Sequence, residues 1–207
     1  MRRHGQQVAL CAMDGAQTKR DVWNPLLLEV KEMTAPNFSR CLKLVLVSEG
    51  GNDDDPDDAG GRTSRGITQR EYDAYRKTHS GLPSDVWKAP QSAIEAIYEI
   101  SYWKPWCPQF PDGVDYVFFD VAVLHGPGKA AKWLQRAVRT KADGHIGIVT
   151  LTALKAAEPG KVVSAFSDLR RAHFNAIVHN KPSQKKFLKG WLARAGCVEK
   201  DALKMVH

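Results

Sequence analysis

Six of the ten residues from Glu49 to Asp58 are acidic, and Gly60-Gly61-Arg62-Thr63 follows almost at once. Glu49 closes an apolar run in which Phe38, Cys41, Leu42, Val45 and Leu46 follow the i, i+3, i+4, i+7, i+8 spacing of one helix face. A glutamate at a helix C-terminus meets the negative end of the dipole, a position that disfavours its charge. Emergence from an apolar helix and nearby carboxylates act in the same direction, so the residue is expected to keep its proton near neutral pH. Such an acid can protonate a leaving glycosidic oxygen, while a second group orients water or stabilises the oxocarbenium ion. Asp58 and Thr63 are the candidates for that second part: eight residues separate Glu49 from Asp58, and four separate Asp58 from Thr63. Calcium is the rival use of the acidic loop. Asp53, Asp55 and Asp57 have the 1, 3, 5 spacing of an EF-hand, but Asp58 stands where glycine is needed and Ser64 where the closing glutamate is needed. That reading fails; a looser cation site is the weaker alternative, and neither a metal nor a cofactor is expected.

The elements that must position these groups follow from periodicity and punctuation. Asn37 is a candidate N-cap for the first helix, and Gly50-Gly51 stops it. Residues 50–66 read as a loop or short hairpin. Thr68-Gln-Arg-Glu71 is a capping box, so a helix carrying Tyr72 and Tyr75 starts at Thr68 and breaks at Gly81-Leu-Pro83. Ser92–Trp103 has helical spacing. Val114–Leu124 is a long apolar run, read as a buried helix with a strand as the rival. Helical patterns resume over Lys129–Val138, Thr150–Ala157, Lys161–Asn180 and Ser183–Ala195, with a turn at Asp143-Gly-His-Ile-Gly147. No strand alternation is sustained, so the fold class is mainly α.

The Glu–Asp–Thr arrangement is similar to that of phage-type lysozymes, one residue short in the second gap. There the glutamate ends the first helix and faces a hairpin carrying the other two. More closely, Glu49-Gly50-Gly51 followed by "DPDDAGGRTSRGIT" resembles the signature of the glycoside hydrolase 108 N-acetylmuramidases. Asp55, Pro56, Asp58, Gly60, Gly61, Thr63, Gly66, Ile67 and Thr68 fit it. Asn52 stands where the family has tyrosine, which removes an aromatic wall from the substrate cleft, and Ala59 where it has proline. The resemblance implies a lysozyme-like fold with Glu49 as catalytic acid, Asp58 as base or water-positioner and Thr63 positioning water. Asn52, Gly60, Gly61 and Tyr72 would line the substrate. The likeness continues through Asp120, His125 before Gly126-Pro127-Gly128, Trp133-Leu134-Gln135, Asp143-Gly144, Gly147 and Thr150, which resemble a small peptidoglycan-binding segment; Asp120 and His125 are its candidate glycan contacts. Asp143-Gly144 should form a tight turn and Thr150 cap the next helix. "KKFLKGWLARAG" resembles the family's close: Gly190 would let Trp191 pack closely, with core packing the better role for Trp191, and Arg194 would pair with an acid.

These segments divide the chain into an extension (1–36), a catalytic lysozyme-like region (37–118) and a helical peptidoglycan-binding-like region (119–200), packed as one compact unit. The chain carries a net charge of +7, divided between 14 Lys and Arg against 18 Asp and Glu over residues 1–120 and 16 against 5 over 121–207. A basic second half suits an anionic partner, here cell-wall or outer-membrane polymers besides peptidoglycan. Nucleic acid is disfavoured, because no helix-turn-helix or RNP-like motif is present. Four scattered cysteines (Cys11, Cys41, Cys107, Cys197) form no CxxC pair and no disulfide framework. The apolar patch Val8–Met13 is too short for a secretory signal, and Met33 is a candidate native start. The expectation is a monomeric endolysin, made in the cytoplasm and acting at the bacterial wall or periplasm. It would hydrolyse the β-1,4 bond between N-acetylmuramic acid and N-acetylglucosamine. A lytic transglycosylase and a non-catalytic wall-binding scaffold are the alternatives.

Overall fold

The computed structural model describes residues 37–47, 52–53 and 62–206. Glu49, Asp58, Gly60, Gly61 and the whole N-terminal extension, including the candidate start at Met33, lie outside the described residues. Helix α1 covers 37–47 and buries Cys41, Leu42 and Val45, the face that the sequence pattern marks. Asn37 differs from its expected role. It is already helical and buried, and its side-chain amide donates to Asp115 Oδ2. Asp115 is itself buried, and a buried carboxyl group requires a donor that a solvent-facing cap could not supply.

Three two-residue strands follow: β1 (Asn52–Asp53), β2 (Thr63–Ser64) and β3 (Ile67–Thr68), antiparallel in the order β1-β2-β3. Asn52 lies opposite Ser64, and Thr63 pairs with both Asp53 and Thr68. The β2–β3 turn is Arg65-Gly66, with φ of 50° and 79°. Positive φ at both positions matches the twist of a two-residue hairpin; Gly66 adopts it freely, whereas Arg65 must be held there. Helix α2 (Gln69–Arg76) starts at the expected capping box, in which Glu71 N donates to Thr68 Oγ1 (3.2 Å) and Thr68 N to Glu71 Oε2 (2.9 Å).

Helix α3 (Gln91–Tyr98) runs into a π-helical turn, Glu99–Trp103, closed by Lys104 N donating to Glu99 O at 2.7 Å. The wider turn shifts the buried stripe by one position. Trp103, five residues after Tyr98, is buried, whereas Ile100 is exposed.

Helix α4 (Val114–His125) settles the helix-or-strand question at the long apolar run. Every residue from Val114 to Ala122 is buried, the pattern of a helix enclosed on all sides. It packs against α5 (Pro127–Ala137), α7 (Pro159–Asn180) and α8 (Lys185–Leu203). On the other side Phe119 meets Phe38, Tyr98 and Trp103 edge-on, so α1 and α3 share the same core. Each such buried aromatic stabilises the fold by about 1.5–3 kcal/mol. The division expected at 118/119 falls inside this helix.

Three expectations in the second half are corrected. Thr150 does not cap α6 (Ile148–Ala156): Gly147 holds the N-cap position, and Thr150 sits buried inside the helix, where its hydroxyl accepts from Gln135 Nε2 at 3.4 Å. Gly190 has open space where a Cβ would project, so it does not admit Trp191 to close packing. Helix α8 continues beyond Ala195, because Val198 and Ala202 extend its buried face. Its Ala202 carbonyl passes so near the start of α4 that a Cβ at Gly113 would lie 2.5 Å from it. The architecture is mainly α and lysozyme-like, with one small sheet after the first helix.

Candidate active site

The sheet that follows α1 is fixed by side chains that reach across to neighbouring elements. Arg65 spends its guanidinium on the start of α3 and the segment that leads into it: Nη1 donates to Gln91 Oε1 (2.6 Å) and Nη2 to the Ala89 carbonyl (2.7 Å), while its own carbonyl accepts from Tyr98 Oη (2.8 Å). These bonds hold the non-glycine residue of the hairpin turn in its left-handed conformation. Glu71 serves two elements. One oxygen closes the capping box and the other accepts from Tyr102 Oη in the π turn. Gln69 accepts from Val86 N at 2.8 Å and donates to the Ser84 carbonyl at 2.8 Å, tying α2 to the short turn Val86–Lys88.

Thr63 stands in the central strand, the one described position among the three catalytic candidates. Its carbonyl accepts from Trp87 Nε1 at 2.9 Å. Arg62 lies over the Trp87 ring at 3.8 Å and within 3.4 Å of Asp85, whose carboxylate accepts from Trp87 N. A half-exposed tryptophan and an arginine thus flank the hairpin edge. The last described residue of α1, Val47, is two positions short of Glu49. The main chain at Asn52 is paired in β1, opposite Ser64.

Of three expected substrate contacts, Tyr72 and Asp120 are closed to solvent and His125 is half-buried. Tyr72 is shielded from solvent, and its hydroxyl has no hydrogen-bond partner among the described residues, so the ring forms no platform for a sugar as it stands. Asp120 is fully buried: Arg170 Nη1 lies 2.7 Å from Oδ2, and Arg194 Nη2 lies 2.8 Å from Oδ1. Arg194 therefore finds its acid in the core, and the carboxylate joins α4 to α7 and α8. His125 sits half-buried among Trp133, His173 and Phe174, with ring centroids 5.4–5.5 Å apart. Burial first, then the cations Arg170 and Lys129, push its pKa down to about 3, so the ring is neutral at physiological pH.

Several structural residues escaped the sequence reading. Asp115 is one: burial raises its pKa to about 7, opposed by donation from Asn37 and Tyr116 N. Arg170 is another, and it left a signal. It lies on the stripe Val162, Val163, Phe166, Phe174 of α7, and an arginine on an apolar face requires a buried acid. Gln135 is the third. Its Nε2 donates to Asp143 Oδ1 (2.8 Å) and the His145 carbonyl (3.0 Å), and its Oε1 accepts from Gly144 N (2.8 Å). The Asp143-Gly144 turn is therefore built around Gln135 and is structural. Cys41 and Cys107 are buried free thiols and Cys197 an exposed one.

The arrangement agrees with comparisons to known proteins. Residues 42–126 match the family model of glycosyl hydrolase 108, and residues 129–196 that of a predicted peptidoglycan domain. This is a glycosyl hydrolase 108 region joined to a peptidoglycan domain. The first model ends just after α4, and the second begins within α5. The solved structure of Brucella abortus SagA is similar, at 29% identity and a TM-score of 0.70 over 83% of this chain and 97% of that one. No curated protein matches. The glycosyl hydrolase 108 region thus includes most of α1, the pinned sheet and α4, and the peptidoglycan domain includes the Gln135 turn and both arginines of the Asp120 cluster. Together the two regions make the chain a peptidoglycan hydrolase. Among the described residues no helix is long and apolar enough to cross a membrane, and no cluster of His, Cys, Asp or Glu has the make-up of a metal site.

Proposed function

We propose that the protein is an N-acetylmuramidase that cleaves the β-1,4 bond between N-acetylmuramic acid and N-acetylglucosamine, with Glu49 as general acid. The observation that carries this reading is the succession of α1 and a rigidly anchored hairpin within the glycosyl hydrolase 108 match, with Thr63 in the central strand. Glu49 gives its proton to the glycosidic oxygen as the C1–O bond breaks. Asp58 takes a proton from the attacking water, and Thr63 orients that water. Asn52, Gly60 and Gly61 line the sugar beside them. An inverting outcome follows if the two carboxyl groups stand about 6.5–9.5 Å apart. The protein acts at the wall as an endolysin of a phage or prophage.

Purified peptidoglycan digested by the full chain tests this reading. Mass spectrometry should find reducing muramic-acid ends, and NMR of the first product should find the inverted anomer. 1,6-Anhydro ends would make the enzyme a lytic transglycosylase, and intact glycan would leave a wall-binding scaffold.

A further inference from the structure

The thirty residues from 169 to 198 contain seven Lys and Arg and no Asp or Glu. The three arginines are engaged: Arg170 and Arg194 with Asp120, and Arg171 with Asp168 and Glu199. The four lysines, Lys181, Lys185, Lys186 and Lys189, are exposed and form no ion pair among the described residues. They gather where α7 turns through Pro182–Gln184 into α8.

Lys185 and Lys186, the first two residues of α8, run against helix electrostatics. The first turn of α8 has no acidic residue, and Gln184 provides no side-chain cap. Lysines at a helix N-terminus add to the positive end of the dipole, where stability alone would favour acids. Apolar surface accompanies the charge. Phe187 is 45% exposed and stacks on Trp191 at 5.9 Å, which stacks in turn on Phe174 at 5.4 Å. Lys186 Nζ lies 4.8 Å from the centre of the Phe187 ring. The rings spend their faces on one another and on this ammonium, whereas a sugar needs a free face to stack on. The tip offers ring edges and cations, the combination that seats a helix end among lipid headgroups.

We propose that the α7–α8 tip is a docking surface for an anionic phospholipid bilayer, in which the lysines meet phosphates and Phe187 enters the headgroup layer. The surface lies in the second half of the chain and is independent of the chemistry at the hairpin.

The test is co-sedimentation of the full chain with phosphatidylglycerol–phosphatidylethanolamine vesicles and with phosphatidylcholine vesicles at about 0.1 M salt, where headgroup charges still act over ~10 Å. Partition onto the anionic vesicles alone is expected. Lys185→Gln/Lys186→Gln should weaken it by about fivefold per lysine. Phe187→Ser should weaken it as well, and circular dichroism melts of both variants should match the parent, since the three side chains are exposed. Equal partition onto both vesicles, absence of partition, or partition unchanged in both variants would overturn the proposal. Variants that lose binding to isolated peptidoglycan while keeping vesicle binding would assign the tip to the wall instead.

Discussion

The hairpin half and the helical half of this molecule are held by different physics. Around the sheet, Arg65, Gln69 and Glu71 reach over short distances to carbonyls, amides and a phenol, so the anchoring is divided among modest hydrogen bonds. In the helical half one fully buried carboxylate, Asp120, joins three helices through two arginines. Divided anchoring fixes a loop-rich site without concentrating cost at one residue. A buried charge cluster does the reverse: it locks helix order, and it fails as a unit when one member is removed.

The largest expected effect therefore belongs to Asp120. Replacing it with Asn leaves Arg170, 1% exposed, without its counter-charge. Loss of such a pair costs about 3–5 kcal/mol, a fall in Tm on the order of 10 °C by calorimetry. A Tm within a degree or two of wild type would remove the central contrast. Gln135→Ala should come next, at about 2–3 kcal/mol by denaturant unfolding, because it strips several polar groups of the Asp143 turn of their partner at once. Arg65→Ala should cost only about 1–2 kcal/mol, since the remaining bonds still hold the sheet. Its wall-lysis rate should nevertheless fall about tenfold, as the hairpin carrying Thr63 loosens. A variant that loses stability but keeps its full rate would separate the hairpin from the chemistry.

In pH dependence the two halves respond with opposite sign. Asp115, which holds α1 through Asn37, titrates at about 7 when folded against about 4 when unfolded. Its contribution is fully present below pH ~4 and is lost as pH rises through ~7. His125 titrates at about 3 when folded against about 6.5 when unfolded, so its contribution is present above pH ~6.5 and is lost as pH falls toward ~3. Asp115→Asn should flatten the neutral side of the stability–pH curve and His125→Phe the acid side. Unchanged curves would contradict the assignments.

The contrast also explains what the sequence could tell. Apolar periodicity placed α1 and α7, and the Thr68–Glu71 capping box placed α2, because those signals are local; the unbroken apolar run of α4 left a strand as its rival until packing showed it enclosed on all sides. The π turn after Tyr98 was not legible, since one inserted residue changes the face only when Trp103 finds its core neighbours. Asp120 and His125 read as binding residues by their motif positions; only packing reveals Asp120 as a buried link and His125 as half-buried among aromatic rings. Arg194 was expected to find an acid, but a single helix cannot say which one. The chemistry itself, Glu49 with Asp58 and Thr63, rests on type and spacing, with the hairpin anchors as support.

One measurement tests the central claim most directly: the rate of glycan cleavage in purified peptidoglycan by wild type and Glu49→Gln, compared at equal bound protein. The account predicts a loss of at least about a hundredfold, the lower end of what a positioned general acid contributes, with unchanged Tm and wall binding. A Glu49→Gln enzyme that cleaves at the wild-type rate would contradict it.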